Sequence, residues 1–421
     1  MLRDRNQASA NVLAVAGTAL VLVLCVAIPR QVCAQDEPPI LEYDYSGSGP
    51  AVPEFVRVMR SRVVQSLLLD VAAAPRNDAF LHAALKGTDI TTDQLRELKL
   101  IRRNGDRYEL AFSLLTRGDR QKMLAVAERE GARLASDLLA HRSTIEELLE
   151  KGSIPTADWR ATAFFVLGCA SLDWDGLTLV ESKGYLARPA EGTYIPTAIE
   201  PAPREALRRL YWGSHSYHDP AAVTTFGDHF SLPRVGLPDV FWNLSVDAPD
   251  PVKAKVRRAA EGLVRRHAAT LMLALRDGPR SVTQLAAATG LGQADVKDVL
   301  DLLVALEYVT ESDTTYTAVI PVLTERDRAM VRELRLLGRQ VMVKWLDEQY
   351  QLLCADLEDL TPRRYGVPLA NSFWWVWHYL FGVTNRELVN AGLFADPYDS
   401  KRTFQGFVPA VYQLDVMQGT F

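Results

Sequence analysis

Cysteine is scarce in this chain: 4 in 421 residues, of which only Cys169 and Cys354 lie beyond residue 34. That excludes a disulfide scaffold; one bridge remains open, and two buried thiols are the expected state. Basic charge is not in excess either. Lys and Arg number 47 against 52 Asp and Glu, so the formal net charge is −5, without the global field that draws nucleic acid. With 25 Gly and 22 Pro the chain is neither fibrous nor low-complexity, and 48% hydrophobic residues exclude disorder. Nucleophile and phosphate signatures are missing: there is no Gly-x-Ser-x-Gly, P-loop, His-Glu-x-x-His or catalytic cysteine word. The expectation is a non-enzymatic protein, too long for one ordinary core, with two to three domains.

The N-terminus has the pattern of an export signal. Arg3 and Arg5 precede an apolar run from Val12 to Ile28, a break at Pro29, and Val32-Cys33-Ala34 before Gln35. Cleavage after Ala34 is expected; otherwise the run is long enough to stay as a membrane anchor. Either way the body of the protein is expected outside the cytoplasm, periplasmic or secreted, touching membrane only through this segment. Cys25 follows Leu24 and Cys33 follows Val32, so neither suits lipid attachment. Removing residues 1–34 takes away Arg3, Arg5, Arg30 and Asp4 and moves the net charge from −5 to −7. Residues 35–55, rich in Pro, Gly, Ser and acids, read as a flexible linker.

Helical periodicity dominates from Val56 on. Leu271 and Leu275 end a helix at Asp277-Gly278-Pro279; Ser281 caps a second through Ala287; Gly290-Leu291-Gly292 turns; Asp295 to Leu306 forms a third. Tyr308-Val309-Thr310 and Tyr316 to Val319 then alternate around a polar turn as a small hairpin does. The words LRDGPRSVTQLAAATGLGQADVKDVLDLLVALEYV and the wing after them resemble the winged helix-turn-helix domains of arsenic-repressor-like transcription regulators. Winged dimerisation modules ahead of some methyltransferases are similar too. The resemblance implies a fold and, for the regulators, DNA binding; their metal-binding cysteine helix is missing, as is a Gly-rich methyltransferase loop.

An earlier stretch aligns without gaps at an offset of 208. Leu95/Leu303, Tyr108/Tyr316, Leu115/Leu323, Thr116/Thr324, Asp119/Asp327 and Arg120/Arg328 pair, and the register continues through Leu138/Leu346, Phe165/Phe373, Leu172/Leu380 and Gly184/Gly392. We read a duplication. The expected fold is mainly α: tandem winged helix-turn-helix domains, each with a small β-hairpin wing and additional long helices (Asp119 to Leu149; Asp327 to Leu357). The expected division is signal 1–34, linker 35–55, unit 56–196, connector 197–251, unit 252–398 and tail 399–421.

A winged-helix DNA reader needs bases on its third helix and wing. The second unit offers Gln293, Asp295, Lys297, Asp298 and Asp301 there, three carboxylates to one lysine, a poor match to a row of phosphates. Its wing has Thr314 and Thr315, whereas the first wing has Arg102, Arg103 and Arg107. Arg257 and Arg258, with Lys253, Lys255, Arg265 and Arg266, could also follow a DNA backbone, although the same bases serve as a solvated helix face. These arginines are the candidate DNA or partner contacts. A protein partner, or self-association through the long helices, is the preferred reading and a DNA-binding regulator the runner-up.

The connector places His215, His218 and His229 with Asp219 and Asp228 inside 15 residues. Imidazoles beside carboxylates suit a transition metal such as zinc, and His-x-x-His could put two rings on one side of a helical turn. A metal-assisted enzyme is therefore the third reading; the first expects no cofactor. Phe373 to Phe381 is the most aromatic run and reads as a buried helix, too short to span a membrane.

Overall fold

The computed structural model describes residues 40–152, 159–201, 209–218, 221–228, 267–305, 307–398 and 406–417. The chain is mainly helical, with small sheets. It forms two compact units, one of Met1–Met123, Glu181–Ala202 and Leu353–Trp374, the other of Leu124–Val180, Pro203–Leu352 and Trp375–Phe421. These units do not follow the boundaries drawn from sequence, because each gathers segments from both halves of the chain.

In the first unit, strand β1 (Glu42–Gly47) leads to helices α1 (Val52–Met59) and α2 (Arg62–Ala73), strand β2 (Arg76–Asn77), and helices α3 (Asp78–Leu85) and α4 (Thr92–Glu97). Three of these four helices start at a side-chain cap. The Ser61 hydroxyl accepts from the Val64 N–H, the Asn77 side chain from Phe80, and Thr91 forms a capping box with Gln94. On α2, Val64, Leu67, Leu68 and Val71 recur at the spacing of one helical face and are buried with Leu81, Leu95, Tyr108 and Leu110. Strands β3 (Ile101–Asn104) and β4 (Arg107–Leu110) form an antiparallel hairpin whose turn uses Gly105 at φ 63°, and β2 adds to β4.

The expected linker contains an ordered strand. Tyr43 and Tyr45 alternate along β1 and meet the Phe55 ring edge-on at 5.9 and 6.0 Å, and pairing with a strand remote in sequence makes the segment sheet. Strand β1 pairs antiparallel with β6 (Tyr194–Ile199), which runs parallel to β5 (Ser113–Leu115).

The second unit repeats the order: α9 (His267–Leu275), β9 (Arg280–Ser281), α10 (Val282–Thr289), α11 (Gln293–Ala305), hairpin β10 (Val309–Ser312) and β11 (Thr315–Ala318), then β12 (Val322–Leu323). Ser281 and Gln284 form the capping box of α10, and Gly290 ends it at φ 73°. Its sheet runs β12-β13-β8-β7, with β7 (Tyr211–His218) and β8 (Ala221–Asp228) from the expected connector and β13 (Phe407–Gln413) from the expected tail. β13 lies parallel to β12 and antiparallel to β8, as β6 does to β5 and β1.

Three pairs of positions 208 apart share a left-handed backbone. Lys99 and Glu307 have φ of 59° and 57°, Gly105 and Asp313 63° and 48°, Gly184 and Gly392 74° and 70°. Asp119 accepts from the Thr116 N–H and hydroxyl, and Asp327 does the same with Thr324. The Arg117 N–H donates to Glu200 after β6, and the Glu325 N–H to Gln413 at the end of β13.

The helical core of the second unit draws on α5 (Arg117–Leu139), α6 (Arg142–Glu150), α12 (Arg328–Asp356) and α14 (Phe373–Asn390). A continuous helix, α7 (Trp159–Ala163), a π-helix (Phe164–Asp175) and α8 (Gly176–Ser182), is long and apolar enough to cross a membrane, but 83% of that window is buried within the protein. The first expected long helix is broken between Leu139 and Arg142; the second is continuous. Cys169 is buried in the π-helix and Cys354 half-buried on α12, and neither is bonded to another cysteine.

Candidate interaction surface

The wing arginines of the first unit differ in how far the chain engages them. On β3, Arg102 donates from Nε to Glu109 at 2.7 Å and from Nη2 to the Tyr365 carbonyl. Burial alone would raise the Glu109 carboxyl, but hydrogen bonds from Asn104 and Arg102 outweigh it and hold the group below its usual range. Arg103 donates to the Gly105 carbonyl at 3.1 Å and stands 4.0 Å from Asp78. Arg107 is exposed at the start of β4, opposite Asn77 and Asn104. Arg96 on α4 pairs with Asp93 at 2.8 Å. Arg103 and Arg107 therefore remain as solvent-facing bases, and Arg102 is built into the fold.

The second unit engages its third helix more fully. Lys297, the one base on α11, bonds Asp301, stands 4.0 Å from Glu311 and lies 5.5 Å from the Tyr316 ring centre. Those bonds, first that to Asp301, push its ammonium above the usual lysine range. Tyr316 in turn donates to Glu311 at 2.6 Å. A phosphate approaching this face would meet carboxylates and a cation already paired.

His215 and His218 lie on β7, opposite Thr225 and Ala222 of β8. The helical turn considered for this pair is a strand, whose period of two differs from the helical 3.6 on which that geometry depended. His229, Arg257 and Arg258 lie outside the described residues. Among the described residues no group of three His, Cys, Asp or Glu is placed to hold a metal.

A different surface emerges on α12. One open face of it carries Leu336 and Val343, both half-buried, with Gln340, Lys344 and Glu348 beside them. Apolar positions one heptad apart, flanked by charges of both signs, suit a protein surface better than a polyanion.

Sequence reading missed the buried charges. Arg335 and Asp175 pair at 6% exposure each, and Arg276 grips Asp327 through bonds of 3.0 and 2.8 Å. Asp173, 5% exposed, is pushed up to about 7 by burial. The signal was available: Asp173-Trp174-Asp175 places two acids inside an otherwise apolar helix. At the end of β8, buried Asp228 accepts from the Arg209 N–H at 2.7 Å and from the Tyr398 hydroxyl, while Arg209 stacks on Tyr398 and reaches Asp396 at 3.6 Å.

No protein-family model matches the chain, and no curated protein or solved structure matches it.

Proposed function

We propose that the chain is an exported, non-enzymatic protein-interaction or assembly module built from two duplicated winged-helix units. The helix, helix, helix, hairpin order in each unit supports the winged-helix reading, and the matching φ values at Lys99/Glu307 and Gly184/Gly392 support the duplication. The observation that carries the functional part is Lys297: the only base on α11 is held by Asp301, Glu311 and Tyr316. Affinity for DNA comes largely from neutralising phosphates, and a lysine already paired contributes little to that. The Leu336–Val343 face of α12 supports a protein partner, and the pattern of residues 1–34 supports export.

The test has two arms. A reporter fused after Phe421 is expected to be active outside the cytoplasm, and duplex DNA is expected to bind no tighter than a generic acidic protein does. Steep salt-dependent DNA binding together with a cytoplasmic reporter reverses the reading in favour of a regulator. Metal content is expected to be equal in the wild type and a His215→Ala, His218→Ala double variant; loss in the variant moves the metal-assisted enzyme forward.

A further inference from the structure

Contacts between the two halves of the chain recur in exchanged form. In a two-fold dimer, whenever residue x of one copy touches residue y of the other, y of the first must touch x of the second. Shifting by 208 residues applies that rule inside this chain. In the first unit Lys122 bonds Asp359. The equivalents of these positions are Met330 and Lys151, and in the second unit the Met330 sulfur sits 2.6 Å from where a side chain on Gly152, next to Lys151, would begin.

The same holds within the helical core. Gly131 on α5 lies so close to α14 that a Cβ there would meet the Leu380 carbonyl and the Val383 side chain at 2.8 Å. Gly338, beside the equivalent position 339 on α12, is pressed in the same way against Ser171 of the π-helix, beside the equivalent of Leu380. Each long helix thus uses a glycine to seat the apolar helix of the other half. Ion pairs follow: Arg386 of α14 bonds Glu128 of α5, and Arg335 of α12 bonds Asp175, within one helical turn of the exchanged positions and with the charges swapped between helix types.

We infer that this core is a two-fold dimer interface closed within one chain, so that the partner each half fits is a second copy of itself supplied in cis. The inference rests on the duplication proposed above. It also narrows the partner question: self-association through the long helices is satisfied internally, and an external protein must use other surfaces, such as the face of α12 that carries Leu336 and Val343.

Disulfide trapping in the full chain tests it. Lys122→Cys with Asp359→Cys, and separately Gly152→Cys with Met330→Cys, are each expected to close within a single chain under mild oxidation, while sedimentation of the untreated protein gives the mass of one chain. Closure of only one pair removes the exchange symmetry, and disulfide links between chains at either pair show that the interface is used in trans. DNA binding by the lobes would overturn the proposed function and leave both trapping results unchanged.

Discussion

Arg335 and Asp175 face each other across the core of the second unit, the guanidinium Nε donating to the carboxylate at 2.8 Å and Nη2 bonding its other oxygen. Arg335 also donates to the Met417 carbonyl at 2.8 Å, so it ties α12 both to the π-helix and to the last described residues. Removing one partner of a buried pair strands the other charge, at a cost of about 3–5 kcal/mol, whereas apolar replacement of both can approach neutrality. Arg335→Met is expected to lose that amount in urea denaturation, and Arg335→Met with Asp175→Leu to recover most of it. A loss below about 1 kcal/mol in the single variant contradicts the pairing.

Two acids give the protein an unusual pH response. Burial pushes Asp44 up to about 6 and Asp173 to about 7, both from an ordinary value of 3.8; at Asp44 the Tyr45 N–H opposes the rise. Because the folded values exceed the unfolded one, the stability these groups confer is complete below pH 3.8 and is lost as pH rises through 6 to 7. Asp173→Asn is expected to reduce the loss of stability between pH 5 and pH 8 by on the order of 2–4 kcal/mol. Urea midpoints at the two pH values, compared between wild type and variant, measure it; an unchanged difference refutes the assignment.

Gly184 and Gly392 end their helices at φ 74° and 70°, and a Cβ at either would meet no atom within 4 Å. The cost of Gly→Ala at each is therefore backbone strain alone, about 1 kcal/mol, and the two should add. Equal shifts in midpoint for the two single variants are the expected result. A neutral substitution at one of them means that cap is not left-handed in solution.

Trp377 donates its indole N–H to the Leu172 carbonyl at 2.9 Å, and a Cβ on Gly176 would come within 2.7 Å of the Trp377 ring. Gly176→Ala is expected to cost about 1–3 kcal/mol by overpacking, part of it relieved when Trp377→Phe is introduced in the same chain. Strict additivity in this double-mutant cycle would mean that the two residues do not touch.

Local rules were legible where a few neighbouring residues settle the outcome. Ser281 with Gln284, Gly290 and the alternation from Tyr308 to Val319 specify a cap, a stop and a hairpin within a few residues of each other, and those elements form where expected. Strand β13 has no such local signal. Phe407 to Gln413 lacks a nearby partner, and its neighbours in the sheet, Ala221–Asp228 and Val322–Leu323, are remote in sequence, so the segment reads as a tail until they meet it. His215 and His218, in a Gly- and Pro-punctuated segment, read as loop for the same reason: a short polar and aromatic run carries no period until a strand pairs with it.

By itself the sequence determined the helical character and the caps, because propensity, capping and apolar period act over one or two turns. Tertiary structure alone decided which half each helix packs against, that Arg102 and Lys297 are held by Glu109 and Asp301, and that Asp173 and the Arg335–Asp175 pair are buried. The reason is dielectric and geometric: a charge is costly or available according to what surrounds it, and those surroundings come from residues as far apart as Asp175 and Arg335.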